Sequence, residues 1–453
     1  MTVEAPSSGA SFAPSRVGLS VSNRIGIWLA ILAFLHGMLY LALTPPWQAP
    51  DEPQHFQYVR FLLDERRLPT RQDAAVDTSL VEQVKQSMTR FDFWALRKHD
   101  TAPPSLEYRV SWGHPPLYYG LAAATLAPFL SLDVTSQLYI VRLLSVTLTA
   151  LTVWVAYQAT CSLFPASPAL TVAVPLFIAL LPMHAFIGSS VNNDTLAELA
   201  GTVVIWLLIL AVRDGLSWRL VAGLFIALAA ALLSKRTAAF LVPSAALTLL
   251  ALLPSSRRQW MLVVAVLAVP AWLLLLRQSP GSYIGALLRG LPETSSQFLK
   301  TFDYSNWLLR GVGFFTTFWG NFGWMVILLD RVWYVLLFLV TLGAGAGWIK
   351  LGRNWRCSLH TLERWQRWAL AVCALAILLV LVQTLGLSLV YGTYQQARYL
   401  YPAIWPVALF LILGWGAWVP PSWHYRVVIL GAASMVALDL TALILYQLPF
   451  YYG

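Results

Sequence analysis

Apolar residues fall in long runs separated by short polar breaks. The clearest runs cover 25–43, 138–160, 169–187, 195–212, 219–233, 237–253, 260–276, 332–349, 368–390, 399–418 and 427–447. Each approaches the ~20 residues that carry a helix across a bilayer, so the pattern predicts eleven spans. Residues 1–24 are rich in Ser, Pro and Gly and read as a disordered cytoplasmic tail. The remainder, 25–453, reads as one polytopic membrane domain. No small-residue cleavage site follows the first run, which therefore reads as an uncleaved signal anchor. The polar stretch 44–113 predicts two helices, about 53–66 and 79–97. The first has Phe56, Val59, Leu62 and Leu63 on one side, a pattern suited to lying flat on the membrane.

Two shorter apolar stretches decide the topology. The run 117–130 has only about 14 residues, short of a span, and reads as interfacial or re-entrant. The first outer loop is then 44–137. The basic clusters Arg213/Arg219, Arg257/Arg258, Lys350–Arg367 and Arg426 all fall in loops on one side. That side is cytoplasmic by the bias of Lys and Arg in short loops, as is the N-terminus. If 117–130 spanned, the assignment would invert and these clusters would face outward. A second large outer loop, 277–331, contains an apolar part, 311–329, with Gly313, Gly320, Asn321 and Gly323, suited to dipping into the membrane.

Composition agrees. Of 453 residues, 58% are hydrophobic and 11% charged, where soluble domains carry about 25% charged. The net charge of +10 lies largely in the short loops and does not point to nucleic acid. The bilayer is the partner this composition requires. Trp and Tyr, 21 and 18 residues, suit interfacial belts. Cys161, Cys357 and Cys373 lie outside the long polar loops, which excludes a disulfide framework and metal-ligand spacing. No internal repeat is evident.

Polar groups converge on the outer side. Asp51 and Glu52 sit among the prolines Pro45, Pro46, Pro50 and Pro53, with His55 four residues on. An Asp–Glu pair before Pro53 can simply cap a helix, because carboxylates favour its N-terminus. The same pair can supply a general base or hold Mg²⁺ or Mn²⁺ through oxygen ligands. His114 precedes Pro115-Pro116. Asn193-Asp194 can cap the following helix or join a site. Lys235, Arg236 and Arg398, the last followed by Tyr399, place basic groups on the side that charge bias leaves poor in them; Lys235 and Arg236 suit snorkelling, and all three suit neutralising a phosphate. Arg142, at the outer end of the second span, is a weaker candidate of the same kind.

Pro45-Pro46 through Asp51-Glu52-Pro53-Gln54-His55-Phe56 resembles the PPDEPxHF signature of a bacterial family of multi-pass proteins of unknown function. Gln48-Ala49 separates Pro46 from the core of the motif, a small departure. His114-Pro115-Pro116-Leu117-Tyr118-Tyr119, Asn192-Asn193-Asp194, Trp319-Gly320-Asn321-Phe322-Gly323-Trp324 and Arg398-Tyr399-Leu400-Tyr401-Pro402 recur there in this order. That family is similar to GT-C glycosyltransferases such as protein O-mannosyltransferases and aminoarabinose transferases. The resemblance implies an all-α, GT-C-like bundle of about eleven transmembrane helices, with juxtamembrane helices in the first outer loop. It implies a transferase in the bacterial inner membrane that moves a sugar from a polyprenyl-phosphate donor to an extracytoplasmic glycan or lipid of the cell envelope. Asp51 would be the main catalytic carboxylate, supported by Glu52 and Asp194. His55, His114, Asn193, Lys235, Arg236, Arg398 and Tyr399 would bind substrate. A different class remains open: a transporter or flippase of a lipid-linked glycan, using the same basic groups without covalent chemistry.

Overall fold

The computed structural model describes residues 17–75, 78–96, 110, 112–252, 264, 304–353, 362–391 and 396–453. They form a helical bundle. The first helix, α1 (Val17–Leu43), begins inside the segment expected to be a tail. It leads into α2 (Glu52–Glu65), α3 (Ser79–Arg90), α4 (Phe93–Leu96) and α5 (Leu117–Leu126). The long α6 (Val134–Leu163) follows, then α7 (Pro168–Leu180), α8 (Pro182–Gly188), α9 (Asp194–Asp214), α10 (Trp218–Ser234) and α11 (Leu241–Ala251). Further on come α12 (Tyr304–Trp319), the hairpin β1 (Asn321–Phe322) and β2 (Ile327–Leu328), and α13 (Arg331–Arg353). The last elements are α14 (Arg364–Tyr391), α15 (Ile404–Gly416), α16 (His424–Thr441) and α17 (Leu448–Tyr452).

Among the described residues seven helices are long and apolar enough to cross a membrane, and an eighth follows if α7 and α8 count as one bent span. The protein is therefore a multi-pass membrane protein, but the expected count of eleven is not reached among the described residues. The runs 219–233 and 237–253 form apolar helices under the length tested, and 260–276 lies outside the described residues. The run 169–187 is not one straight helix. It bends by 61° between α7 and α8, because Pro182 cannot donate to the helix ladder and drives Leu181 into extended backbone.

The helix α5 continues through a 3-10 turn to Phe129, about 20 Å in all by helical rise, which is short of the ~30 Å hydrocarbon core. It packs on α2, α6 and α10. The apolar side of α2 faces protein: Phe56 and Val59 are fully buried in a cluster with Tyr118, Tyr119 and Leu126 of α5. A partner helix, α5, therefore covers the side of α2 that carries Phe56 and Val59. The predicted helix 79–97 is divided, with Asp92 in left-handed backbone between α3 and α4.

The bundle has two unlike ends. One gathers the starts of α2, α6 and α9, the end of α10 and the turn before α15, which carry Asp51, Arg142, Asp194, Lys235 and Arg398. The other carries Arg213, which reaches the Ser162 carbonyl at the end of α6, and Gln366, which reaches Leu163. Lys350, Arg353, Arg364 and Arg426 occupy the same ends of their helices. The described members of the basic clusters and the candidate site are thus on opposite ends of the bundle, and Arg257, Arg258 and Arg356 lie outside the described residues.

Candidate functional site

Four ionisable side chains from distant parts of the chain meet in one cluster. Arg398 Nη2 donates to Asp51 Oδ2 at 2.5 Å, and its Nη1 lies 3.8 Å from Asp194 Oδ2. Lys235 Nζ donates to Asp194 Oδ1 and lies 4.9 Å above the ring of Tyr399. The side chains of Arg398, Asp194 and Lys235 are 4%, 2% and 9% exposed; that of Asp51 is 40% exposed. Asp51 is the open member of a closed set.

Local sequence explains why Asp51 reaches inward. It occupies the N-cap position of α2 but makes no side-chain cap, and its backbone is left-handed at φ 62°. Asp tolerates that region better than most residues, at a cost of about 1 kcal/mol. The side chain released from capping turns to Arg398. Burial alone would raise its pKa, but the Arg398 guanidinium holds it below the usual carboxylate range. Asn193 likewise sits at the N-cap of α9 without capping it. Its amide donates to the Ser234 carbonyl at 2.8 Å, which ties α9 to the turn carrying Lys235. Asn192 holds the loop by accepting from the Asp194 N–H at 2.9 Å. The capping alternatives for Asp51 and Asn193 are therefore not what their side chains do.

Glu52 behaves differently, and its expected place beside Asp51 in catalysis or metal binding is corrected. It is fully buried and accepts four hydrogen bonds: Arg142 Nε at 2.8 Å, Arg142 Nη2 at 2.6 Å, Val191 N at 3.0 Å and Trp47 N at 3.1 Å. Arg142 also donates to the carbonyls of Thr44 and Pro45. Neighbouring side chains do not share a helix face, and the two adjacent carboxylates take different partners, Arg398 and Arg142. Among the described residues no group of three or more His, Cys, Asp or Glu converges on a metal position. The carboxylates that do converge, Asp51 and Asp194, are matched by Arg398 and Lys235. A divalent cation would meet a neutralised set, so the residues as arranged do not fit Mg²⁺ or Mn²⁺.

His55 and His114 form the adjoining wall, with ring centroids 5.4 Å apart. His55 Nδ1 shares a 2.6 Å hydrogen bond with Tyr119 Oη, and Tyr58 stacks on Tyr119. Burial, and then the neighbouring His114, push the His55 pKa well below 6.5. Burial with Lys235 and Arg236 nearby lowers that of His114 to about 4. Both rings are neutral at pH 7 and act as hydrogen-bonding groups there. Arg236 reaches the same wall: a Cβ built on Gly113 would lie 3.6 Å from its Nη2.

Sequence reasoning missed other buried groups. Tyr119 escaped notice within its motif. His184 meets Glu198 at 2.5 Å, and Asp439 accepts from Tyr40 at 2.7 Å while lying 3.1 Å from His36. Ionisable residues inside apolar runs were the available signal. The stretch 319–324 is a packing feature. Trp319 and Phe322 are buried, Phe322 stacks on Tyr40, and the Trp324 indole donates to the Trp47 carbonyl at 2.9 Å.

A family model described as "Predicted membrane protein (DUF2142)" matches residues 34–407. No curated protein sequence matches the chain. Among solved structures the chain is similar to the oligosaccharyltransferase of Archaeoglobus fulgidus in its apo form, with TM-score 0.50 and 14% identity over 94% of this chain and 55% of that one. It is similar to the same organism's oligosaccharyltransferase AglB in complex with an inhibitory peptide and a dolichol-phosphate, with TM-score 0.51 and 12% identity over 97% of this chain and 57% of that one. A weaker likeness, TM-score 0.43 at 13% identity over 96% of this chain and 74% of that one, is to ArnT of Cupriavidus metallidurans bound to undecaprenyl phosphate. The fold is thus the expected GT-C-like helical membrane fold, and the chain spans little more than half the length of the oligosaccharyltransferase.

Proposed function

The chain belongs to the DUF2142 family of predicted membrane proteins, and we propose that it is a glycosyltransferase that takes a sugar from a polyprenyl-phosphate donor. The acceptor is a hydroxyl group of a cell-envelope glycan or lipid at the outer face of the bacterial inner membrane, with the N-terminus in the cytoplasm. The observation that carries this reading is the Asp51–Arg398–Asp194–Lys235 cluster, which is open only at Asp51. A base beside buried cations suits attack by a hydroxyl on a carbon that bears a phosphate leaving group.

In this reading Asp51 takes the proton of the acceptor hydroxyl. The hydroxyl oxygen bonds to the anomeric carbon, the bond from that carbon to the phosphate oxygen breaks, and the polyprenyl phosphate leaves with the electron pair. Arg398, Lys235 and Arg236 neutralise it. Asp194 orients Arg398 and Lys235; Tyr399 supports Lys235 from below. His55, His114 and Asn193 line the sugar and acceptor side as neutral hydrogen-bonding groups. The dolichol-phosphate named for the similar oligosaccharyltransferase supports a lipid phosphate as donor.

The test is Asp51→Asn in membranes supplied with a polyprenyl-phosphate sugar. Transfer should fall by about 10²–10⁴, the usual share of a general base, with expression unchanged. Full transfer by the variant would end this assignment. Movement of the lipid across a liposome with no covalent product would favour transport instead.

A further inference from the structure

The accessibility of the four clustered side chains sets a condition on how a phosphate can enter. Arg398 is the cation shared by both aspartates, and it is 4% exposed. Lys235 is 9% exposed and engaged by Asp194. Asp194 lies deeper, at 2%. Asp51 alone faces the opening, and its carboxylate covers Arg398 from that side. A phosphate oxygen and a carboxylate oxygen ask the same of a guanidinium: an anionic acceptor in the plane of the fork.

We propose that the Asp51 carboxylate occupies, in the ligand-free chain, the place on Arg398 that the phosphate group of a lipid-linked donor takes, so that donor binding and release of Asp51 are one exchange. This rests on the transferase reading and adds the order of events to it. The released carboxylate then stands at the mouth of the site, beside the bound phosphate, where an acceptor hydroxyl arrives. The exchange also restores its basicity, because the cation that holds its proton affinity down now faces the phosphate. Without a donor the base stays committed, which guards against activating water or acceptor to no purpose.

The backbone makes the exchange open to test. At φ 62°, Asn and Gly are the substitutes that left-handed backbone accepts best. Asp51→Asn and Asp51→Gly both delete the competing charge, and each checks the other against loss of folding. The probe is undecaprenyl phosphate, titrated into the full chain in lipid nanodiscs and followed by intrinsic tryptophan fluorescence; inorganic phosphate is the second arm. Both variants should bind the lipid phosphate about tenfold tighter than the unaltered chain, and Arg398→Gln should lose that gain when added to either. An equal gain for inorganic phosphate assigns the place to phosphate chemistry alone; a gain confined to the lipid assigns it to the lipid headgroup. Unchanged or weaker binding in both Asp51 variants overturns the exchange. That result leaves the transferase reading standing if Asp51→Asn still abolishes transfer.

Discussion

Asp51 and Glu52 are neighbours with the same charge, each paired to an arginine, yet they build opposite kinds of site. Glu52 and Arg142 are sealed, and every hydrogen bond of the pair ends on protein. Asp51 and Arg398 form a pair with one open side. The difference lies in what surrounds each pair. The backbone donors of Trp47 and Val191 and the carbonyls of Thr44 and Pro45 complete the first. The second is completed by side chains, Asp194 and Lys235, which can change partners without unfolding the chain. A carboxylate becomes available for chemistry when its partners are movable, more than by its charge alone.

The strongest test of this contrast is Glu52→Ala. It strands the Arg142 charge in a dry site and should lower stability by ~3–5 kcal/mol, read as loss of folded protein or a steep drop in melting temperature in detergent. Asp51→Asn should leave melting almost unchanged while it removes transfer. If the two variants melt alike, the contrast between sealed and open pairs fails. Gly201→Ala probes the support of the open pair. A Cβ on Gly201 would collide with the Pro402 carbonyl in the 3-10 turn Ala397–Ala403 that carries Arg398. Forcing it in should cost ~1–3 kcal/mol and weaken donor binding more than it changes melting. The smallest effect is a pH slope. His114, ordinarily 6.5, titrates at about 4 when folded, so unfolding takes up protons between those values. Stability should therefore fall as pH drops from 6.5 towards 4 and be flat above 6.5. His114→Gln should reduce that slope in a melting series and leave the part that His55, also held well below 6.5, contributes.

Much of this was readable beforehand because ionisable residues stand out against apolar runs. Asp51, Asp194, Lys235 and Arg398 could be singled out by type, and charge bias put them on one side. What was not readable was direction. No residue pattern says that Asp51 turns left-handed and forgoes its cap while Glu52 turns inward. Arg142 was seen only as a weaker basic candidate, since its partner lies 90 residues away. The break at Pro182 was hidden within a run whose hydropathy is continuous. His36, Glu198 and Asp439 were absorbed into spans by the same continuity, although a charge within a span is itself a signal.

The distances along the chain also set a schedule for synthesis. Arg142 follows Glu52 by 90 residues, which a ribosome adding roughly 5–20 residues per second delivers within about 5–18 s. Arg398 follows Asp51 by 347 residues, a wait of roughly 17–70 s at the same pace. The sealed pair can therefore close while most of the chain is still unmade, fixing the loop that carries Asp51. The open pair forms almost last, so a nascent chain holds its loop in shape long before its site is assembled.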